Sequence, residues 1–522
     1  MPSARSRTPQ PFPGVVPLFG ASAVRDADAE ATRRFGLPSL VLMERAGLES
    51  ARIILDRFPE VRHAIVLVGP GNNAGDGMVV ARHLSEASWR VQVVSAEGLA
   101  PTTADAHVMS NVALSLGVAL GPFDAEAFRP EGAVLVDALL GTGTRGAPRA
   151  PLDAMIAWAA QWPGPVVALD IPSGVDADSG RIAGEAVRAD LTVTYHGDKP
   201  GLHVHPGREH AGEVVVLDIG IPSALRAEPL AWLAGPSTAA GIPPKAASGE
   251  KYGAGAVLVV AGAPGMTGAG VLCAQASLRA GAGLVVAAVP SAVQPLMAPM
   301  MREVMCAPVA DDQGALGPCS VEDVVVQARR TTAIALGPGV GRQAATMHAV
   351  LSLAEQIAQP MVIDADGLWH LVGHLAVVQA RSAPTVLTPH AGEAARLLGC
   401  ARSEVDADRL AAALSLCHQS GAVVVLKGPG TIVCGPEGRV FIADRGGPEL
   451  STAGSGDVLT GIIAAALAKG MDPTHAAIAA VCAHASAGQL TGFGDGMVAG
   501  DLVLAIPAAI QAARAQAREG ER

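Results

Sequence analysis

The segment STAGSGDVLTG (451–461) leads small residues directly into an acidic side chain and an apolar run. Such residues can form an anion cradle that holds a base. Glycines let the backbone approach a ligand closely, and the N–H groups opening a helix predicted over 457–469 favour negative charge above 453–456. Asp457 then stands where a phosphate and a hydroxyl could meet, as a general base, or else it only caps its helix.

Four turns lead up to this segment, each beside a β-like run: LGPGVG (336–341), DADGLW (364–369), TPHAGE (388–393) and LKGPGT (426–431). The first offers three glycines and no charge, which suits a substrate lying against backbone. In the last, Lys427 can meet a phosphate while neighbouring amides hold a nucleotide. Taken singly these are glycine turns, helix caps, a satisfied loop histidine at His390 and a solvated lysine. Their order, ending at GSGD, favours the cradle. A strand over 256–261, the loop MTGAG (266–270), a helix over 271–279 and a strand over 284–289 begin this α/β region.

The first half repeats the logic. A helical stretch over 21–58, broken at Pro38, precedes a strand over 64–68, the loop GPGNNAGDG (69–77) and a helix over 78–84. Gly69, Gly71 and Ala74 fit a loose dinucleotide pattern, with Glu97 near the expected ribose acid. Asn72, Asn73 and Asp76 are unusual there: their oxygens suit a cation or a sugar hydroxyl, or an Asx-rich turn. Strands over 133–136 and 165–169 run into Asp137 with GTGTRGAP (141–148) and into Asp170 with IPSGVDADSG (171–180). In a doubly wound sheet the three loops converge on the carboxyl edge. Asn73, Asp137 and Ser173 could then offer oxygens and one formal charge to a hard cation, or the acids could cap turns.

GPGNNAGDG, VDALLGTGTRGAP, LDIPSGVDADSG and TYHGDKPGL together resemble the NAD(P)H-hydrate epimerase domain of nicotinamide nucleotide repair enzymes, over 21–221. The resemblance implies a Rossmann-like three-layer domain. It implies that Asn72, Asn73, Ala74, Gly75 and Asp76, with Gly141, Thr142, Gly143, Thr144, Arg145, Gly146 and Ala147, bind hydrated NADH or NADPH. It places potassium at Asn73, Asp137 and Ser173, and puts Asp170 beside the reacting ring as candidate acid/base. Ala74 departs from a more usual glycine. Lys199, in the KPG segment, reads as a surface charge beside a turn.

The order of turns in the second half resembles the ribokinase-like superfamily, and more closely its ADP-dependent NAD(P)H-hydrate dehydratase branch, over 245–507. That resemblance implies a ribokinase-like three-layer α/β domain in which Ala269, Gly339, His390 and Asp457 contact the hydrated nucleotide. Lys427, Gly428, Pro429, Gly430, Thr431 and Gly456 match the adenine-nucleotide site, with ADP as phosphoryl donor, Mg2+ alongside and Asp457 as catalytic base. Departures are Ser455 for threonine, HASAG (484–488) for HGxAG and GGPEL ahead of the cradle, the last two bearing on loop geometry. The joint implication is epimerisation of R- and S-NAD(P)HX, then ADP-dependent dehydration of the S form to NAD(P)H with release of AMP and phosphate. The alternative is an ATP-dependent vitamin or sugar kinase fused to a non-catalytic nucleotide-binding domain.

Composition sets the bounds. A chain of 522 residues exceeds one ordinary core, and 50% hydrophobic with 16% charged residues suits compact α/β domains. The expected plan is a flexible tail over 1–20, domains over 21–221 and 245–510, and a linker over 222–244. A net charge of −11 without basic runs argues against nucleic acid as partner. Seven cysteines, none in the first half and none at paired metal spacing, suit reduced thiols and a cytoplasmic protein. Mean hydropathy is +0.36, yet the apolar runs are broken by Pro290, Gln294 and Pro295, so no membrane partner is expected. A homo-oligomer is expected.

Overall fold

The computed structural model describes residues 13–98, 101–126, 132–225, 227–246, 253–443 and 445–520. Two compact units divide it, one over 17–232 and one over 233–522, with 13–16 grouped with the second.

Strand β1 (Val15–Leu18) lies inside the stretch expected to be a tail. The sheet of the first unit contains β2 (His63–Val68), β3 (Arg90–Ser95), β4 (Ala119–Pro122), β5 (Ala133–Ala138), β6 (Val166–Leu169), β7 (Leu191–Tyr195) and β8 (Glu213–Leu217). All pairings are parallel, in the order β4-β3-β2-β5-β6-β7-β8. Alternate residues of β2 and β5 feed two cores. Ala64, Val66 and Val68 join Met43 and Val79 on one face, while Ile65 and Leu67 join Met155 and Ile156 on the other. Helices therefore cover both faces, as a parallel sheet of continuous apolar strands requires, and three layers result.

In the second unit β9 (Ala231–Ala234) falls within the expected linker. It is followed by β10 (Ala256–Val260), β11 (Leu284–Pro290), β12 (Met305–Val309), β13 (Ala333–Leu336), β14 (Met361–Ile363) and β15 (Thr385–Leu387). The last three strands are β16 (Val423–Leu426), β17 (Thr431–Cys434) and β18 (Val440–Ala443). The order is β1-β9-β18-β17-β16-β15-β14-β13-β10-β11-β12. Pairings from β12 across to β16 are parallel, and β17 and β18 pair antiparallel. This is again an α/β sheet with a central reversal.

Strand order reverses between β2 and β5 in one unit and between β10 and β13 in the other. Chain leaving the two strands at such a point diverges to opposite faces and opens a crevice at their carboxyl ends. GPGNNAGDG and Asp137 follow one such pair of strands, MTGAG and LGPGVG the other.

Helices begin earlier than hydrophobic periodicity suggests. They span Asn72–Glu86, Thr267–Arg279 and Ser455–Ala468, so much of the presumed loops GPGNNAGDG, MTGAG and GSGD is helical. The small residues serve close packing more than loop freedom. A methyl group on Gly75 would lie 2.5 Å from Met43 Sδ, and one on Gly77 2.6 Å from Ala138 Cβ. HASAG is likewise helical, within Pro473–Thr491. The stretch 21–58 forms two helices, Ala21–Phe35 and Ser39–Arg57, parted by left-handed Gly36 and by Pro38.

Gly461 marks the tightest approach beneath the cradle. A Cβ there would stand 2.3 Å from the Cys273 carbonyl oxygen and 2.8 Å from Ala276 Cβ, on the helix Thr267–Arg279. Forcing a methyl group between two buried helices costs about 1–3 kcal/mol. Gly461→Ala is expected to lower unfolding free energy by that amount in denaturant titration, although alanine is the better helix former.

Candidate active sites

The crevice of the first unit is a cavity of about 470 Å³. Of the residues expected to bind nucleotide, Asn72, Asn73, Asp76, Gly141, Thr142, Gly143, Thr144 and Asp170 line it. Ala74 and Gly75 turn instead into the core, and Arg145, Gly146 and Ala147 lie outside the lining, with Arg145 paired to Asp178 at 2.9 Å. Glu97 is exposed and does not line the cavity.

Lys199 corrects the sequence reading. Instead of a surface charge it is completely buried: Nζ donates to Asp170 Oδ1 at 2.8 Å, Thr194 Oγ1 at 2.6 Å and the Tyr195 carbonyl at 3.0 Å. Asp170 Oδ2 accepts from the Thr142 amide at 3.1 Å. Burial alone would raise the Asp170 pKa, but Lys199 and these hydrogen bonds bring it below the ordinary carboxylate value. Asp76 behaves oppositely. It is buried against the same cavity, its carboxyl has no hydrogen-bond partner among the described residues, and burial with Asp170 and Asp28 pushes its pKa well above normal. Two carboxyl groups in one crevice thus have pKa values pushed in opposite directions, an arrangement that can divide acid from base roles.

Behind the cavity Asn73, Asp137 and Ser173 come together. Asn73 Nδ2 donates to the carbonyls of Leu140 at 3.0 Å and Leu169 at 3.2 Å, while its Oδ1 is buried without a partner. Asp137 accepts from Ser173 Oγ at 2.7 Å and from the Ser173 amide at 2.8 Å; burial outweighs these bonds and raises its pKa to about 6.

In the second unit, left-handed Gly454 (φ +87°) opens the helix that carries Asp457 in its first turn. A Cβ on Gly456 would lie 3.2 Å from Lys427 Nζ, so the lysine amine sits close above the helix end. Lys427 Nζ donates to Asp364 Oδ1 at 2.7 Å, and Thr460 Oγ1 donates to Asp364 Oδ2 at 2.6 Å. Burial opposes the lysine's charge, yet Asp364 and Glu393 keep its pKa above normal. Burial first, then Asp364, raises Asp457 to about 7, against the pull of Lys427. At neutral pH Asp457 can both take and release a proton.

The other expected residues gather on this edge. Gly339 is left-handed, and a Cβ there would stand 3.2 Å from Ala269 Cβ, so two turns meet. The Lys427 amide donates to the Pro389 carbonyl at 2.8 Å, joining LKGPGT to TPHAGE. His390 Nδ1 accepts from the Gly392 amide at 3.0 Å and caps the helix Ala391–Leu398, leaving the ring half exposed. Gly428, Pro429 and Gly430 turn between antiparallel β16 and β17, and Thr431 Oγ1 donates back to the Gly428 carbonyl at 2.9 Å.

Sequence reasoning missed Asp364, read only as a cap in DADGLW, together with Thr460, Arg409 and His484. Arg409 is buried under the nucleotide turn and donates to the carbonyls of Leu426 at 3.2 Å and Lys427 at 3.3 Å. His484 Nε2 lies 2.9 Å from the Ser455 carbonyl, and burial lowers its pKa to about 4, so it is a neutral donor fixing the cradle. The DAD spacing after a strand was a signal for Asp364. Thr460 lies inside STAGSGDVLTG and His484 opens HASAG without either being given a role, and nothing local marks Arg409.

Fold and site define a two-unit α/β enzyme with aspartate and lysine side chains paired at the carboxyl edge of each sheet. Residues 39–201 match the family described as YjeF-related protein N-terminus, and residues 257–507 match NAD(P)H-hydrate dehydratase. The bifunctional NAD(P)H-hydrate repair enzyme of Moorella thermoacetica is 37% identical, the alignment covering 94% of this chain and 96% of that protein. The enzyme of that name from Salinibacter ruber is 38% identical over 94% and 95%. A solved ADP/ATP-dependent NAD(P)H-hydrate dehydratase from Bacillus subtilis is 27% identical with a TM-score of 0.45, covering 53% of this chain and 96% of that one. The chain belongs to the family of bifunctional NAD(P)H-hydrate repair enzymes. Among the described residues no helix is long and apolar enough to cross a membrane.

Asp364 sets the titration of its neighbour. Asp364→Asn removes a like charge from Asp457 and frees Lys427 to approach it, and both changes lower the Asp457 pKa. The alkaline-rising limb of the activity of the second unit, near pH 7 in the unaltered chain, should move to lower pH in the kcat/KM profile of the variant.

Proposed function

We propose that the first unit interconverts R- and S-NAD(P)HX, within 21–221, and that the second, within 245–510, dehydrates the S form at the expense of ADP. The observation that carries this reading is Asp457: a carboxyl with pKa near 7, at a helix N-terminus, beside a lysine held over Gly456. Full-length similarity to bifunctional relatives favours repair over a vitamin or sugar kinase joined to a binding module.

In the second unit, Asp457 takes the proton of the ring hydroxyl as that oxygen attacks the β-phosphorus of ADP. The P–O bond to AMP breaks, and the helix amides and Lys427 stabilise the charge on the transferred group. The ring nitrogen lone pair then expels phosphate with the C–O electrons, and loss of a proton from the adjacent carbon restores the dihydropyridine. Ala269, Gly339 and His390 border the hydrated ring, and Lys427–Thr431 with Gly456 border ADP. No group of three Asp, Glu, His or Cys residues able to hold a metal occurs among the described residues, so Mg2+ would arrive on the phosphates of ADP and supply charge neutralisation.

In the first unit, loss and return of the hydroxyl at the carbon beside the ring nitrogen requires only proton movement. Asp76 holds the proton that departing oxygen needs, and Asp170, kept ionised by Lys199, faces the positive charge that develops on the ring. Asn73, Asp137 and Ser173 would hold potassium, since the buried Asn73 Oδ1 lacks a partner and Asp137 supplies the single charge. The ion would neutralise Asp137 and fix the strand-end loops.

One assay decides between the repair reading and its alternative: racemic NADPHX is incubated with ADP or ATP and both epimers and nucleotide products are separated by chromatography. The unaltered chain should consume both epimers. Asp457→Asn should abolish dehydration, by at least about a thousandfold, and leave epimer exchange intact. Asp76→Asn should do the reverse, consuming only the S form. A stable phosphorylated product in place of NADPH would favour the kinase.

Potassium has its own readout. Replacing K+ by Na+ should slow epimer exchange and lower the first unit's melting temperature. Because Asp137 must ionise to hold the ion, the thermal stabilisation by K+ should fade as pH drops through about 6. Equal behaviour in Na+ would remove the cation site.

A further inference from the structure

The second unit has to admit phosphate-bearing ligands into a crevice bordered by Asp364, Asp366, Glu393 and Asp457, with Lys427 already paired to Asp364. Two arginines stand just beyond it on the same turns. Arg342 directly follows LGPGVG, and Arg396 comes three residues after TPHAGE on the helix Ala391–Leu398. The Arg342 guanidinium carbon lies 4.6 Å from the centre of the Trp369 indole, and that of Arg396 lies 5.2 Å from it.

The platform beneath them is fixed. Asp366 Oδ2 accepts from the Gly341 amide at 3.1 Å, and His370 Nε2 donates to the Gly341 carbonyl at 2.8 Å, so the loop is tied to the short helix that bears Trp369. Arg342 Nε donates to Asp366 Oδ1 at 2.7 Å, which orients the guanidinium and leaves its two terminal nitrogens to solvent. Among the described residues Arg396 has neither an ion pair nor a hydrogen bond, and it is exposed. Trp369 itself is 39% exposed. Two like charges held on one indole repel each other, and each gains only weakly from the ring at an exposed site. An anion shared between them would relieve the repulsion and accept several charge-assisted hydrogen bonds.

We propose that Arg342 and Arg396, held on Trp369, bind a phosphate group of the hydrated dinucleotide, either its pyrophosphate or the 2′-phosphate that distinguishes NADPHX. The inference rests on the dehydratase reading. It assigns the anion to the dinucleotide and not to ADP, because the arginines extend the turns of Gly339 and His390, whereas the ADP turn is Lys427–Thr431. Arg396 is the cleaner probe, since Arg342 also anchors Asp366.

The test compares the full-length chain with Arg396→Ala and Arg396→Lys. Dissociation constants for S-NADPHX and S-NADHX are measured by equilibrium dialysis without ADP, and KM and kcat are measured with it. Arg396→Ala should raise Kd and KM for the dinucleotide about tenfold, the equivalent of about 1.4 kcal/mol. The kcat and the KM for ADP should be unchanged, with partial recovery in Arg396→Lys. A rise for S-NADPHX alone assigns the 2′-phosphate, and equal rises for both assign the pyrophosphate; either supports the clamp. Changes below twofold for both ligands, or a rise confined to the KM for ADP, overturn it. Absence of turnover by the unaltered chain would defeat the dehydratase reading, and the dialysis constants would still decide the clamp.

Discussion

A buried lysine paired with a strand-end aspartate underlies both sites. Lys199 grips Asp170 directly after β6 at 2.8 Å, and Lys427 grips Asp364 directly after β14 at 2.7 Å. Removing one partner of such a pair leaves an uncompensated buried charge, at about 3–5 kcal/mol. Lys199 holds Asp170 below the ordinary carboxylate pKa, and Lys427 holds Asp364 in a direct ion pair. Beside each lies a second aspartate, Asp76 or Asp457, whose pKa is raised by burial first and then by the neighbouring carboxylate. One electrostatic device, built twice on different sheets, yields a fixed charge and a movable proton within reach of a single ligand.

The pairs sit at the carboxyl ends of strands to one side of each reversal, β6 and β7 in one sheet and β14 and β16 in the other, and helices beside the reversal pack closely. Gly77 against Ala138 and Gly461 against the Cys273 carbonyl each occupy space where a Cβ would collide, and Gly456 lies close under Lys427. Glycine here lets helix ends advance until their unpaired amides face the crevice. Capping by a side chain is missing at Gly71 and Gly454, the starts of the helices that bear Asp76 and Asp457.

How much of this was legible in the sequence follows from how local each feature is. Strand-end acids and glycine turns are written in consecutive residues, and the five strands given bounds lie within two residues of β2, β5, β6, β10 and β11. Helix onsets were placed late at GPGNNAGDG and MTGAG because glycine and alanine runs carry no amphipathic signal, although tight packing makes them helical. Lys199 was misread for a more basic reason. Nothing in TYHGDKPGL reports that the chain folds back to bury the ammonium among Thr194, the Tyr195 carbonyl and Asp170. Thr460, His484 and Arg409 are likewise silent in sequence, since each acts through a partner at least 17 residues away.

The two proton carriers differ in what ligand binding does to them. Asp457 is raised to about 7 chiefly by burial and by Asp364, while Lys427 pulls the other way. Phosphates arriving over Gly456 would add negative charge and hold the proton more firmly, were they not accompanied by a cation. A cation accompanying the nucleotide would reverse that sign and favour the ionised form of Asp457. Asp76 has no lysine among the influences on its titration, only burial and the like charges of Asp170 and Asp28. It is suited to keeping its proton until oxygen departs. In the proposed reactions the same residue type serves as base in one crevice and acid in the other, and the difference lies in which charges the fold places around it.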